Sequence, residues 1–205
     1  RIEDTDSKRE VEGSVDHIQT SLKWMGIDWD LGPGKPDEKI GSFIQSERKE
    51  IYLKYAKQLL EKGLAYPDPY TEEEVEGWRK KAEVEKRPFL FRDHRPASVE
   101  NITDLKAHAE SWDGIRPLRL KVPEIKRYTW HDEVRGELTA GPEALDDTIL
   151  IKGDGLPTYT FAHIIDDLEM GVTHIMRGEE FISSTPRFLS IYDALAIVRP
   201  KLVTL

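Results

Sequence analysis

The chain has 205 residues, of which 38% are apolar and 34% charged, and its formal net charge is −9. That balance excludes wholesale disorder, and the acidic excess excludes a protein that coats nucleic acid indiscriminately through Lys and Arg. The absence of Cys excludes disulfides and thiolate metal sites and suits a reducing, cytoplasmic compartment, and no stretch approaches the roughly 18 apolar residues of a membrane helix.

Ile2 reads as the end of a strand. Ser7-Lys8-Arg9-Glu10 then fits a capping box, and Val11, Val15, Ile18 and Leu22 recur at helical spacing. Gly26 ends that helix, and Gly32, Pro33, Gly34, Pro36 and Gly41 mark a long loop. A second helix is expected from Ser46, with Ile51, Tyr52, Tyr55, Leu59 and Leu60 on its apolar positions and Gly63 just past its end. The character changes at Tyr66. Pro67-Asp68-Pro69 breaks the chain, and Thr71-Glu72-Glu73-Glu74 opens a shorter helix near 71–84 through a second capping box. Leu118, Leu120 and Val122 alternate with charged residues as a half-buried strand does. Short strands follow at 128–131 and 134–138. Ile149-Leu150-Ile151 and Thr158-Tyr159-Thr160-Phe161, separated by Gly153-Asp154-Gly155, read as a hairpin. From 162 a helix to 168 and a buried strand at 172–176 are expected. A last helix follows, begun by Pro186 with Ser184 or Thr185 as cap. This order predicts an α/β fold, a doubly wound parallel sheet interrupted by a mixed α+β insert.

Glu3-Asp4-Thr5-Asp6 puts three carboxylates at the carboxyl end of a strand, where open α/β sheets bind ligands. They suit Mg²⁺, an ammonium group or a hydroxyl, but helix capping explains them equally well. Asp166-Asp167 could be an acid/base pair. Adjacent residues point in different directions, so one surface and one structural carboxylate is the plainer reading. Arg177 ends a strand at the ligand edge and suits a carboxylate or phosphate, or else pairs with Glu179 or Glu180. The six His show no metal-binding spacing. Two runs are basic: 79–95 has seven Lys or Arg against three acids, and 116–127 has five against one. They make a nucleic-acid face or a solvated one.

Taken together, several ordered segments resemble one family. They are Arg1-Ile2-Glu3-Asp4-Thr5-Asp6, residues 22–29, Gln45-Ser46-Glu47-Arg48, Gly63-Leu64-Ala65-Tyr66, Leu145-Asp146-Asp147, Asp154-Gly155 with Pro157-Thr158-Tyr159, and the run from Asp166-Asp167 through Met170-Gly171-Val172 and Arg177-Gly178-Glu179-Glu180 to Pro186. The chain is similar along its whole length to the glutamyl-tRNA synthetases, class I aminoacyl-tRNA synthetases. The resemblance implies a Rossmann-type catalytic domain in two parts, 1–66 and 158–205, around an acceptor-stem-binding insert at 67–157. It implies ATP-dependent activation of L-glutamate to glutamyl-adenylate, then transfer to the 3′ end of tRNA-Glu. Partners would be tRNA-Glu, L-glutamate and ATP with Mg²⁺, with no membrane, in a cytoplasmic monomer.

By motif position, the resemblance gives Glu3 the substrate ammonium and makes Tyr159, His163 and Arg177 glutamate-pocket residues, with Arg177 on the side-chain carboxylate. Relatives often carry another residue at His163. Glu180 falls at an ATP-site position, and Thr5, Asp6 and Arg9 at positions near the tRNA 3′ end. Lys80, Lys81, Arg116 and Arg119 would grip acceptor-stem phosphates. No residue is assigned a catalytic role. The two class I ATP motifs, of His-Ile-Gly-His and Lys-Met-Ser-Lys-Ser type, are expected before Arg1 and after Leu205, which makes this an internal fragment, inactive alone. Some relatives hold zinc in the insert through Cys. With no Cys between Tyr66 and Arg95, no zinc and no other metal site is expected. Two rival readings are a truncated paralogue that glutamylates a modified tRNA nucleoside and a non-catalytic RNA-binding module. A hydrolase built on Asp166 and Asp167 is a third.

Overall fold

A computed structural model describes residues 1–6, 11–35, 37–99, 107, 110 and 112–205. Helix α1 spans Ser14–Trp24, α2 Lys49–Glu61, α3 Glu72–Val84, α4 Tyr159–Glu169 and α5 Thr185–Leu195. Strands are β1 Ala65–Pro67, β2 Leu118–Leu120, β3 Tyr128–Asp132, β4 Gly136–Ala140, β5 Ile149–Ile151, β6 His174–Arg177 and β7 Lys201–Thr204.

Helix α2 is the centre of the core. Tyr52, Ala56, Leu59 and Leu60 fall on one helical stripe and are all buried. Burying each of the larger ones is worth about 1.5–3 kcal/mol against leaving it in water. Gly63, at φ 68, closes the helix in the left-handed region that an L side chain resists. Its N–H donates to the Leu60 carbonyl and that of Leu64 to the Leu59 carbonyl. Phe161, Ile164 and Ile165 of α4 and Phe188, Leu189 and Ile191 of α5 complete the main core with α2. Helix α3 begins as the sequence predicts. The Thr71 hydroxyl accepts from Glu74 N–H, and the Glu74 carboxylate accepts from Thr71 N–H. The capping box expected at Ser7-Lys8-Arg9-Glu10 lies outside the described residues. On α1, which follows it, Val15 and Leu22 are half-buried while Ile18 and Trp24 face solvent.

The strands form two sheets. One is antiparallel, in the order β1-β2-β5. The other has the order β4-β3-β7-β6, with β6 parallel to β7, β3 parallel to β7 and β3 antiparallel to β4. The β3–β4 hairpin thus extends the sheet of the last segment, although its sequence lies in the expected insert. Asp132 explains the join, because its carboxylate accepts from the Thr204 N–H and hydroxyl, the latter at 2.6 Å. Around Tyr70, Trp78, Phe89 and Phe91 the chain builds a second, smaller core. There the Trp78 and His94 rings stack 4.1 Å apart and 6° from parallel.

Four expectations are corrected. Thr158-Tyr159-Thr160-Phe161 is not a hairpin arm. Only Pro157 bridges back to Ile151, and α4 starts at Tyr159, because a helix buries Phe161, Ala162, Ile164 and Ile165 together. Strand β6 is an edge strand, not a buried one, and Met176 is exposed. Strand β2 is buried on both faces, Arg119 included. Ile2 makes a single parallel bridge to Ile44 rather than a strand in the β6–β7 sheet.

Candidate functional site

The site assembles at the start of α4. After β5, Thr158 N–H donates to the Leu150 carbonyl and its hydroxyl to the Ile149 carbonyl. That clamp fixes the first turn of α4 and with it Tyr159. The Tyr159 ring stacks on His163, one turn later, at 4.8 Å and 22°. The Tyr159 hydroxyl is held above its ordinary pKa, first by burial, with Arg177, Glu3, Arg1 and Asp167 all near enough to act on it. The sequence-predicted pocket residues Glu3, Tyr159, His163 and Arg177 therefore share one neighbourhood.

Arg177 ends β6. Its guanidinium lies 5.0 Å from the centre of the Phe181 ring and 5.1 Å from that of Phe188. It has no carboxylate partner among the described residues. The alternative pairing with Glu179 is not made, since Glu179 pairs with Arg135 at 3.2 Å. A half-buried, strictly cationic fork held by two aromatic faces is built to receive an anion.

His163 is buried. Its Nδ1 lies 2.9 Å from the Tyr159 carbonyl oxygen, which can only accept, so Nδ1 carries the proton. Burial, reinforced by nearby Arg177 and Arg1, holds its pKa down at about 3, so the ring is neutral.

Glu3 is held by a residue that the sequence did not single out. The Arg1 guanidinium lies 3.0 Å from the Glu3 carboxylate and also pairs with Asp167. Asp167 is pushed upward in pKa by burial, against the pull of Arg1. Its neighbour Asp166 accepts from Arg48 Nε at 2.8 Å, from Gln45 Nε2 at 2.8 Å and from the Tyr52 hydroxyl at 3.0 Å. Both carboxylates are buried, so neither is the surface residue expected of one of them. They act as anchors: Asp166 ties α4 to α2, and Asp167 ties it to the first segment of the chain. Arg48 and Arg1 both stand in the segments that carry the family resemblance, but nothing in the sequence shows which carboxylates they hold.

The remaining candidates are spread more widely. Thr5 is buried, and its carbonyl accepts from Lys152 Nζ at 2.8 Å. Asp6 is exposed, Arg9 lies outside the described residues, and Glu180 is exposed just beyond β6. Lys80 and Lys81 are exposed on α3, and Arg116 lies 3.8 Å from Asp113. Arg119 is a correction. It is buried, pairs with Asp68 at 2.6 Å, donates to the Asp147 carbonyl at 3.0 Å and packs 3.4 Å from the Phe91 ring centre. Its charge serves the small core and does not face a phosphate. Among the described residues no group of three His, Asp or Glu is placed to hold a metal ion, and no helix is long and apolar enough to cross a membrane.

The α/β frame, with Arg177 in its aromatic slot and Glu3, Tyr159 and His163 nearby, matches a known class. Residues 1–204 match the family described as tRNA synthetases class I (E and Q), catalytic domain, and the chain belongs to that family. It is 41% identical over 204 residues to a glutamate–tRNA ligase of Lactobacillus gasseri, covering 98% of this chain and 40% of the relative. It is 42% identical over 198 residues to that of Exiguobacterium sibiricum, covering 95% and 40%. The fold matches a glutamate–tRNA ligase of Elizabethkingia meningosepticum, solved in complex with its amino acid, with a TM-score of 0.87 at 34% identity, over 100% of this chain and 41% of that one. The Elizabethkingia anophelis enzyme matches equally well, at 0.87 and 34%, over 100% and 42%. The chain spans about 40% of the length of the curated relatives it matches.

Proposed function

We propose that the whole protein is a glutamate–tRNA ligase, cytoplasmic and monomeric, of which this chain carries the amino-acid pocket and the acceptor-stem insert at 67–157. The observation that carries the reading is Arg177, a guanidinium in an aromatic slot with no carboxylate partner among the described residues. L-Glutamate would set its side-chain carboxylate on Arg177 and its ammonium group on Glu3, with Tyr159 packed against it. ATP, entering as its Mg²⁺ complex, would lie on the Glu180 side. An oxygen of the glutamate α-carboxylate attacks the α-phosphorus and pyrophosphate leaves. A ribose hydroxyl of the tRNA 3′ adenosine then attacks the carbonyl carbon of the adenylate, and AMP leaves. This chain's part is positioning: fixing both ends of glutamate makes the attack effectively unimolecular. The 3′ end would pass Thr5, Asp6 and Arg9, with Lys80, Lys81 and Arg116 nearer the stem phosphates.

The test is Arg177→Ala in the full-length enzyme. Loss of a charged partner for a buried carboxylate costs about 2–5 kcal/mol, so kcat/KM for glutamate falls at least ~30-fold while KM for ATP holds. Melting temperature should be nearly unchanged, since Arg177 closes no internal ion pair among the described residues. Unchanged glutamate kinetics would remove Arg177 from the pocket.

A further inference from the structure

Two buried polar atoms beneath this pocket have no hydrogen-bond partner among the described residues: His163 Nε2 and the Tyr192 hydroxyl. His163 is 1% exposed and Tyr192 3%. Both line one cavity, whose wall also includes Arg177, Thr185, Phe188 and Thr204. The free volume within it is about 10 Å³, close to the room a single water requires.

The polarity of the pair follows from the helix. With Nδ1 donating to the Tyr159 carbonyl, Nε2 of the neutral ring is an acceptor only. A substrate carboxylate cannot satisfy it, because both are acceptors. The Tyr192 hydroxyl, on a residue that lines the same cavity, can both donate and accept. Such a set needs a mediator that carries protons of its own.

We infer that one water molecule is a fixed part of the glutamate pocket, held between His163 Nε2 and the Tyr192 hydroxyl, and that Tyr192 acts through it as a positioning residue that sets specificity. The inference rests on the reading of this pocket as the glutamate site. The water donates one proton to Nε2 and accepts from the Tyr192 hydroxyl. Its second proton points to whatever occupies the Arg177 end. Arg177 also offers only donors. Arg177 and the second proton of the water therefore both offer donors to the group bound there. Both oxygens of a glutamate side chain can accept from them. The amide NH₂ of glutamine, almost the same size, would meet donors face to face. The discrimination is by polarity rather than volume.

Tyr192→Phe in the full-length enzyme tests this, because it removes one oxygen and keeps the shape. KM for glutamate in tRNA charging should rise about fivefold, the weight of one hydrogen bond. The preference for glutamate over glutamine should fall by a similar factor, and KM for ATP should hold. A high-resolution crystal structure of the wild-type enzyme should show the water between the two atoms. That observation stands even if the variant is unstable. A water absent from the wild-type structure overturns the inference. So does a variant with a higher melting temperature and unchanged glutamate KM and selectivity, since that marks a hydroxyl merely left unpaired. A wild-type enzyme that fails to charge tRNA with glutamate overturns the glutamate reading itself. Normal charging with an indifferent variant overturns only the role of Tyr192.

Discussion

The stretch at 67–157, proposed above as the insert, and the pocket bury polar groups in opposite ways. In the insert, Asp147 is fully buried and accepts from the Tyr66 hydroxyl at 2.7 Å, from Arg95 at 2.7 and 2.8 Å and from Val122 N–H at 3.0 Å. Asp68 and Arg119 are matched to each other in the same way. By contrast, buried atoms of His163, Asp167 and Tyr192 at the pocket, and of Trp29, Gln45 and Arg48 elsewhere, have no partner among the described residues, and none of these six residues lies between 62 and 158. A buried polar atom without a partner costs about 1–3 kcal/mol, so a cluster of them calls for a water or a ligand to complete it. The buried polar groups at 67–157 are matched to one another, and those of the pocket are left open.

The contrast predicts where a single change unfolds the protein. Asp147→Ala removes the buried carboxylate that the Arg95 guanidinium, the Tyr66 hydroxyl and the Val122 N–H share. It should cost about 3–5 kcal/mol in equilibrium urea unfolding, as the loss of one partner from a buried ion pair does. A loss below about 1 kcal/mol would mean that the network adds nothing to the insert and that the contrast is only geometric.

The pocket should reveal itself by pH instead. His163 is neutral and held at about 3 in the folded state, against about 6.5 in the unfolded chain. Between these values the unfolded chain takes up a proton that the folded one refuses, so this group contributes nothing above pH 6.5 and destabilises progressively below it. From pH 7 to 5 the loss should be about 2 kcal/mol. His163→Asn keeps a polar atom without the titration and should flatten that part of the stability profile. Equal slopes for the two proteins would mean that His163 takes its proton while folded.

Much of the scaffold was legible in the sequence because local and tertiary signals agreed. Helix α2 has a clean apolar stripe and a glycine stop, and α3 has its capping box. The Thr158-Tyr159-Thr160-Phe161 run misled because its β-branched and aromatic residues favour a strand in isolation. Tertiary burial of Phe161 and Ile165 outweighs that preference. Arg119 misled because alternation implies one wet face, whereas Asp68 and Phe91 cover the face that should have been wet. Glu3, Tyr159, His163 and Arg177 could be named from motif resemblance. Arg1 and Asp167 stand in the same motif segments, but their supporting roles, like that of Tyr192, come from burial and from which atoms remain unpaired. No spacing in the sequence encodes that.

The smallest expected effect sharpens the scaffold side of the comparison. Thr71 caps α3 at the entrance to the insert. Its hydroxyl lies 3.3 Å from Glu74 N, and Glu74 returns the contact to Thr71 N at 2.8 Å. Three acidic residues in the first turn, Glu72, Glu73 and Glu74, also face the positive end of the helix dipole. Thr71→Ala removes the side-chain acceptor and leaves the Glu74 carboxylate in place, so half of the box survives. The cost should be about 1 kcal/mol. Thr71→Ser should recover most of it, because Ser offers the same oxygen at an N-cap. Since the cap is solvent-exposed, the loss should not change with pH between 6 and 8, nor alter KM for glutamate, which depends on a different core. Urea unfolding of the three proteins gives the ordering directly. If Ser fails to rescue, the methyl group of Thr71 rather than its hydroxyl holds this turn, and the insert owes its entry to packing instead of to matched polar groups.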